Sequence, residues 1–160
     1  MNLLLTQTAF NKMVLAVTGN TAVDIFNATV TGLTVVSMTI LGTGGETVEF
    51  NPAGGKFVVY DLVKNDPILQ DGDIIEIEFD VAADAYGQYP IEISDAVGAG
   101  TDATLEPIQG VTATLAVGFS AMDVTKTVAQ ILGLGSEGID ANGDGNVNIA
   151  DLQIIISNLI

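Results

Sequence analysis

The stretch Ile75-Glu76-Ile77-Glu78-Phe79-Asp80-Val81 alternates without a break. Apolar residues hold the odd positions and acids the even ones, so an extended chain here turns one face to a core and the other to water. Asp71-Gly72 just ahead marks the turn that feeds it, and Asp66-Pro67 marks an earlier one. Working outward, runs rich in Thr and Val recur about every ten residues, punctuated by Gly, Asn-Asp-Pro and Asp-Gly. They predict strands over 13–18, 22–30, 34–41, 47–50, 56–62, 74–81, 88–93 and 111–117. Short strands with no helix between them argue for a mainly β fold, an antiparallel sandwich over residues 1–118.

At residue 119 the period changes. After Ser120-Ala121-Met122-Asp123, the residues Val124, Thr127, Val128, Ile131 and Leu132 fall at helical spacing, with Gly133 and Gly135 as stops. A second run, Leu152, Ile155, Ile156, Leu159 and Ile160, follows Asp151. Ser120-x-x-Asp123-Val124 superposes on Asn148-x-x-Asp151-Leu152 at an offset of 28 residues. An internal repeat of this kind predicts an α-hairpin over 119–160 rather than two unrelated helices.

Ahead of the second helix stands Asp140-Ala141-Asn142-Gly143-Asp144-Gly145-Asn146-Val147-Asn148-Ile149-Ala150-Asp151. Calcium takes six to eight oxygens, and a twelve-residue loop supplies them from positions 1, 3, 5, 7, 9 and 12. Those positions are Asp140, Asn142, Asp144, Asn146 through its carbonyl, Asn148 through water or directly, and Asp151. Gly145 stands at position 6, where the chain turns sharply and a positive φ is cheapest for glycine. Val147 at position 8 anchors the loop, and Asp151 at the start of the helix is favoured by the helix dipole. One calcium ion is the expected ligand; an Asp/Asn/Gly turn that caps a helix without metal is the alternative. Position 12 is Asp here, not the bidentate Glu of an ordinary EF-hand.

Composition narrows the chemistry. Thirteen Asp and seven Glu against Lys12, Lys56, Lys64 and Lys126, with no Arg, give 160 residues a net charge of −16. Such a chain cannot neutralise a run of phosphates or dock electrostatically on anionic lipid, so nucleic acid is excluded as a partner. No Cys and no His removes disulfides, thiol nucleophiles, imidazole acid–base chemistry and most zinc or copper sites. The acidity reads equally as adaptation to high salt, which screens self-repulsion, or as an ordinary acidic surface. No window approaches the roughly 18 apolar residues of a membrane span. The start, Met1-Asn2-Leu3-Leu4-Leu5-Thr6-Gln7-Thr8, has no basic residue before its short apolar run and is not a secretion signal.

The pattern Asp-x-Asn-x-Asp-Gly-x-Val-Asn-x-x-Asp-Leu over 140–152 resembles a type I dockerin repeat, a family that uses Asp at position 12. Dockerins have two such loop–helix units, and 120–134 looks like the remnant of the first. Its loop would place Thr112, Thr114 and Ala116 at positions 1, 3 and 5, residues unable to hold calcium, so the resemblance implies one ion. The sandwich is similar to cohesin domains: Val30-Thr31-Gly32-Leu33 opens a strand as they do. Asp71-Gly72 through Val81, then Gly87-Gln88-Tyr89-Pro90-Ile91 and Gly110-Val111-Thr112-Ala113-Thr114-Leu115, continue the likeness, over roughly residues 12–118. Related carbohydrate-binding modules share that sandwich.

Nothing in the sequence predicts catalysis. Glu76, Glu78 and Asp80 share one strand face, which reads as solvated surface; a glycosidase pair needs one carboxyl in a pocket that raises its pKa. Ser94 and Ser120 have no histidine to activate them, and Gly42-Thr43-Gly44-Gly45 lacks the Lys of a phosphate loop. Tyr60, Tyr86 and Tyr89 read as packing residues, with a sugar-stacking strip as the other use. The expectation is a non-enzymatic assembly protein that binds protein partners through its sandwich and its calcium-clamped tail. Head-to-tail contacts between the two parts would build a homo-oligomer or larger assembly. The alternative is a carbohydrate-binding module with a dockerin-like tail, and polysaccharide as ligand. The expected location is extracellular or a virion surface, as a decoration or turret component or a cell-surface protein.

Overall fold

The computed structural model describes residues 1–42, 45–61, 69–82, 85–100 and 103–160. The predicted turns at Asp66-Pro67 and Gly42-Thr43-Gly44-Gly45 therefore lie wholly or partly outside the described residues. Two compact units form, residues 1–81 with 89–115 and residues 82–88 with 116–160.

The first unit is built of two sheets. One has the strand order β1 (Asn2–Ala9), β2 (Lys12–Thr18), β7 (Gly72–Phe79), β4 (Val35–Ile40). The other runs β10 (Val111–Val117), β8 (Gly87–Ala99), β3 (Ile25–Thr31), β6 (Lys56–Asp61), β5 (Glu46–Asn51), with β9 (Leu105–Pro107) also paired to β8. The β1–β2, β2–β7, β4–β7, β3–β6, β3–β8 and β5–β6 pairs are all antiparallel. The alternation of β7 does what its sequence demands: Ile75, Ile77 and Phe79 are buried while Glu76 and Glu78 stay half-exposed on the other face. Opposite them in register stand Leu15 and Met13 of β2, equally buried. The second sheet contributes Phe26, Ala28, Val30, Val59, Ile91 and Ile93 to the core. Phe26 meets Phe57 edge-on, ring centroids 5.9 Å apart, across a diagonal pair of β3 and β6.

The boundaries move in physically legible ways. The strand predicted from residue 22 begins at Ile25, because Asn20 folds the chain into a turn: its side chain accepts from the Val23 N–H at 3.0 Å and donates to the Val23 and Leu69 carbonyls. Asp71 locks the same turn by accepting from the Gly19 and Asn20 N–H groups at 2.8 and 2.9 Å. Strand β8 runs on past residue 93 to Ala99 by absorbing a bulge at Asp95, whose φ is +52°. Of the acids expected to be solvated, Asp80 is exposed, whereas Glu76 and Glu78 are tethered. Lys12 Nζ bonds Glu76 at 2.7 Å, and Glu78 accepts from Asn11 and from the Ser37 hydroxyl.

In the second unit, helices α1 (Ala121–Ile131) and α2 (Ile149–Ser157) pack on each other. The chain's last residues pair with the segment ahead of α1: Phe119 and Leu159 form a parallel bridge, closed by Phe119 N to Asn158 O at 3.0 Å and Ile160 N to Phe119 O at 3.2 Å. Leu159 and Ile160 thus lie beyond α2 and not on its apolar face. Tyr86 packs on the Phe119 ring at 5.9 Å.

Candidate metal centre

Both helices start in the same way, which gives the 28-residue repeat a structural meaning. Ser120 is the N-cap of α1 and Asn148 that of α2, and each forms a capping box with the Asp three residues on, Asp123 or Asp151. Asp151 is therefore the third residue of its helix, and Asn148 does the capping. Upstream the two halves part: Thr112, Thr114 and Ala116 lie on strand β10, so the first repeat has no loop at all.

The loop before α2 is organised by its own oxygens. Asp140 Oδ1 accepts from the N–H groups of Gly143 at 2.8 Å and Asp144 at 3.1 Å, and its Oδ2 from Gly145 at 2.7 Å. Asn142 Oδ1 accepts from Asp144 N at 2.9 Å, and its amide donates to Asp144 Oδ2 at 3.2 Å. Asp144 Oδ1 in turn accepts from Asn146 N at 2.8 Å. Asn148 Oδ1 caps Ala150 N, and its amide reaches the Asn146 carbonyl at 3.5 Å. Gly145 turns the chain with φ +85°. These bonds wind 140–151 into a single coil.

Asp151 closes it. Its carboxylate is fully buried, and accepts from Ala141 N at 2.9 Å, Asn142 N at 3.2 Å and Asn148 N at 2.8 Å. The Asn148 N–H above all, then those of Asn142 and Ala141, holds the carboxyl below its ordinary pKa against the opposing pull of burial. Behind the loop, α1 supplies two anchors that sequence reading missed. Thr127, fully buried, accepts from Ile139 N at 3.2 Å, and Gln130 Oε1 accepts from Gly138 N at 2.7 Å. The helical period marked Thr127 only as a residue on the inner face.

Among the described residues no three acidic side chains stand together as a ready-made metal cage. The donor set of Asp140, Asn142, Asp144, Asn146, Asn148 and Asp151 mixes carboxylate, amide and carbonyl oxygen, which suits a hard cation and no soft one. Asp140 Oδ1 and Asp151 Oδ1 each accept two N–H groups, whereas Asp140 Oδ2, both Asp144 oxygens and Asp151 Oδ2 accept one donor each and retain a lone pair for an ion. Elsewhere, the acids singled out on β7 are engaged with Lys12, Asn11 and Ser37, and Tyr60 donates to Glu49 at 2.8 Å. Among the described residues no helix is long and apolar enough to cross a membrane.

No protein-family profile matches the chain, and no curated protein matches it in sequence. Solved structures match it in shape. A cohesin module from a family 33 glycoside hydrolase of Clostridium perfringens superposes with a TM-score of 0.53 at 10% identity, over 72% of this chain and 95% of that one. A type I cohesin–dockerin complex from Clostridium thermocellum matches with the same score and identity, over 72% and 93%. The third cohesin ScaC of Acetivibrio cellulolyticus, solved in complex with a dockerin, gives 0.50 at 13% identity over 67% and 89%. What these likenesses share with the chain is architecture: it carries a cohesin-like antiparallel β-sandwich.

Proposed function

We propose that this chain is a non-enzymatic assembly protein that attaches to protein partners through its cohesin-like sandwich and carries a dockerin-like, calcium-stabilised hairpin at residues 119–160. The observation that carries the reading is the pairing on one chain of two features. The sandwich has the shape of modules solved in complex with dockerins, and the oxygen-lined loop 140–151 has its acids, amides and glycine in calcium-loop register. Asp140, Asn142, Asp144, Asn146, Asn148 and Asp151 are the residues that would hold the ion, which would supply charge neutralisation and no chemistry. The absence of His and Cys, and the engagement of the β7 acids with neighbours, support a role without catalysis.

A sandwich and a hairpin of this kind on one chain permit head-to-tail contacts, and such heterologous contacts close into rings or run on as fibres. We assign the protein to an exterior setting, on a cell or virion surface, where calcium is abundant enough for the weaker loops of this class, with Kd about 10⁻⁴–10⁻³ M. A net charge of −16 opposes association between copies, so salt should promote it by shortening the screening length from about 10 Å at 0.1 M to about 3 Å at 1 M.

Mass photometry of the chain in millimolar calcium, at low and high salt, and then in chelator tests this. The expected result is species that grow with concentration in calcium and salt and revert in chelator. A monomer under every condition, together with no retention of any dockerin or cohesin offered as bait, would overturn the reading.

A further inference from the structure

We propose that Asn142-Gly143 is a latent self-modification site, held closed by the hydrogen bonds of loop 140–151 and converted by loss of ammonia when that loop opens. It is the chain's one Asn-Gly pair, and both residues are exposed to solvent. Glycine puts no side chain in the way of its own backbone nitrogen, and a Cβ at Gly143 would meet open space. In the reaction the Gly143 nitrogen gives its proton to solvent and bonds to Asn142 Cγ. The Cγ–Nδ2 bond breaks, and ammonia leaves with a proton from water. Water then opens the resulting five-membered imide at either carbonyl carbon, leaving Asp or its β-linked isomer at position 142. The net change is the exchange of ammonia for water, with no oxidant or reductant.

Each reacting group is engaged in the closed loop. The Gly143 N–H donates to Asp140 Oδ1 at 2.8 Å, so the nucleophile is turned toward Asp140 and its proton is held. Asn142 Oδ1 accepts from Asp144 N at 2.9 Å and Asn142 Nδ2 donates to Asp144 Oδ2 at 3.2 Å, so the electrophile is turned toward Asp144. Attack requires all three bonds to open together, which ties the rate to the fraction of loop that is open. The product matters because position 3 of the loop is at stake. Conversion to Asp adds a negative charge among the oxygens there, and the β-linked form inserts a backbone methylene that throws positions 5 to 12 out of register. Opening is thereby recorded irreversibly.

That calcium is what keeps the loop closed rests on the function proposed above; that the loop's own hydrogen bonds protect Asn142 does not. The test incubates the full chain in calcium, in chelator and in concentrated urea. Conversion at residue 142 is followed by peptide mass and by labelling with an isoaspartyl methyltransferase. The expected result is conversion slower in calcium than in urea by about tenfold or more, with chelator in between. Conversion in calcium and in chelator as fast as in urea would overturn the proposal. Equal rates in calcium and chelator, both well below urea, would support protection by the loop and count against the ion as its latch.

Discussion

The buried carboxylate of Asp151 accepts the backbone N–H of Ala141 at 2.9 Å, joining the first turn of α2 to the second residue of the loop that precedes it. With its bonds to Asn142 and Asn148, one side chain ties together three points of a twelve-residue coil. Asp151→Ala would leave those partly buried N–H groups without their acceptor. We expect a lowered melting temperature and earlier proteolysis within 119–160, larger than for Asp123→Ala, whose capping box is solvent-exposed and holds no loop. Thermal scans and limited proteolysis of the two variants side by side check this.

Acid should release the same clamp. Asp151 and Asp71 both have carboxyls lowered from the ordinary 3.8, the first chiefly by the Asn148 N–H, the second by those of Asn20 and then Gly19. A lowered pKa in the folded state contributes stability that is full above 3.8 and is lost as pH falls through the lowered value. Protonation of the remaining acids relieves self-repulsion and works the other way, so the wild-type curve alone mixes two effects. Subtraction separates them: Asp71→Asn and Asp151→Asn should each be less stable than wild type at pH 6, and the gap should close below pH 4. A gap that is constant with pH would contradict the assignment.

Calcium should act chiefly through stability. A ligand that binds only the folded state adds RT ln(1 + [L]/Kd), about 2.7 kcal/mol at a hundred times Kd. The expected outcome is a melting temperature that climbs with calcium and falls in chelator, with 119–160 the first segment cut by protease. In Asp140→Ala combined with Asp144→Ala the calcium dependence should vanish. Titration calorimetry on both proteins measures the binding directly.

What the sequence made legible follows from where the physics is local. The alternation of Ile75–Phe79 and the helical spacing after Ser120 each depend on a few neighbouring residues, and both appear in the structure. Asn148 as the cap of α2 was not legible, because Asp151 is the residue that reads as the helix start. Strand β1 was not legible. Leu3-Leu4-Leu5 breaks the alternation that marks a half-buried strand, and β1 exists because each residue from Asn2 to Gln7 finds a partner between Thr18 and Met13. The tethering of Glu76 and Glu78 was hidden for the same reason, since Lys12, Asn11 and Ser37 come from strands and turns distant in sequence. Around the loop, the Asp, Asn and Gly spacing of 140–151 can be read from the sequence, but the supports Thr127 and Gln130 cannot, because an α-helical period says which way a residue points and nothing of what it bonds.

Gly118 tests the pairing of residues 158–160 with the segment ahead of α1. A Cβ there would press into the carbonyl oxygen of Asn158 and stand 2.8 Å from Ile160 Cγ2. Gly118→Ala should therefore push residues 158–160 away and cost about 1–3 kcal/mol. Amide exchange at Ile160, whose N–H bonds the Phe119 carbonyl, should accelerate in the variant while that of Ile93 in the sandwich core stays as it is.

Thr127 separates packing from hydrogen bonding at the back of the loop. It is fully buried, and its hydroxyl oxygen takes the N–H of Ile139, the residue just before Asp140. Thr127→Val keeps the shape and removes the acceptor, so the Ile139 N–H is left without its partner, at a cost of about 1–3 kcal/mol. Thr127→Ser keeps the acceptor and loses a methyl, about 0.8 kcal/mol of burial. If the loop is held from behind by this bond, Val should be the more damaging change, and should weaken calcium binding as well as lower the melting temperature, because Asp140 loses the fixed position from which it gathers the loop's N–H groups. If Thr127 serves only to fill space, the order reverses: Ser opens a cavity, Val fills it, and calcium affinity follows neither.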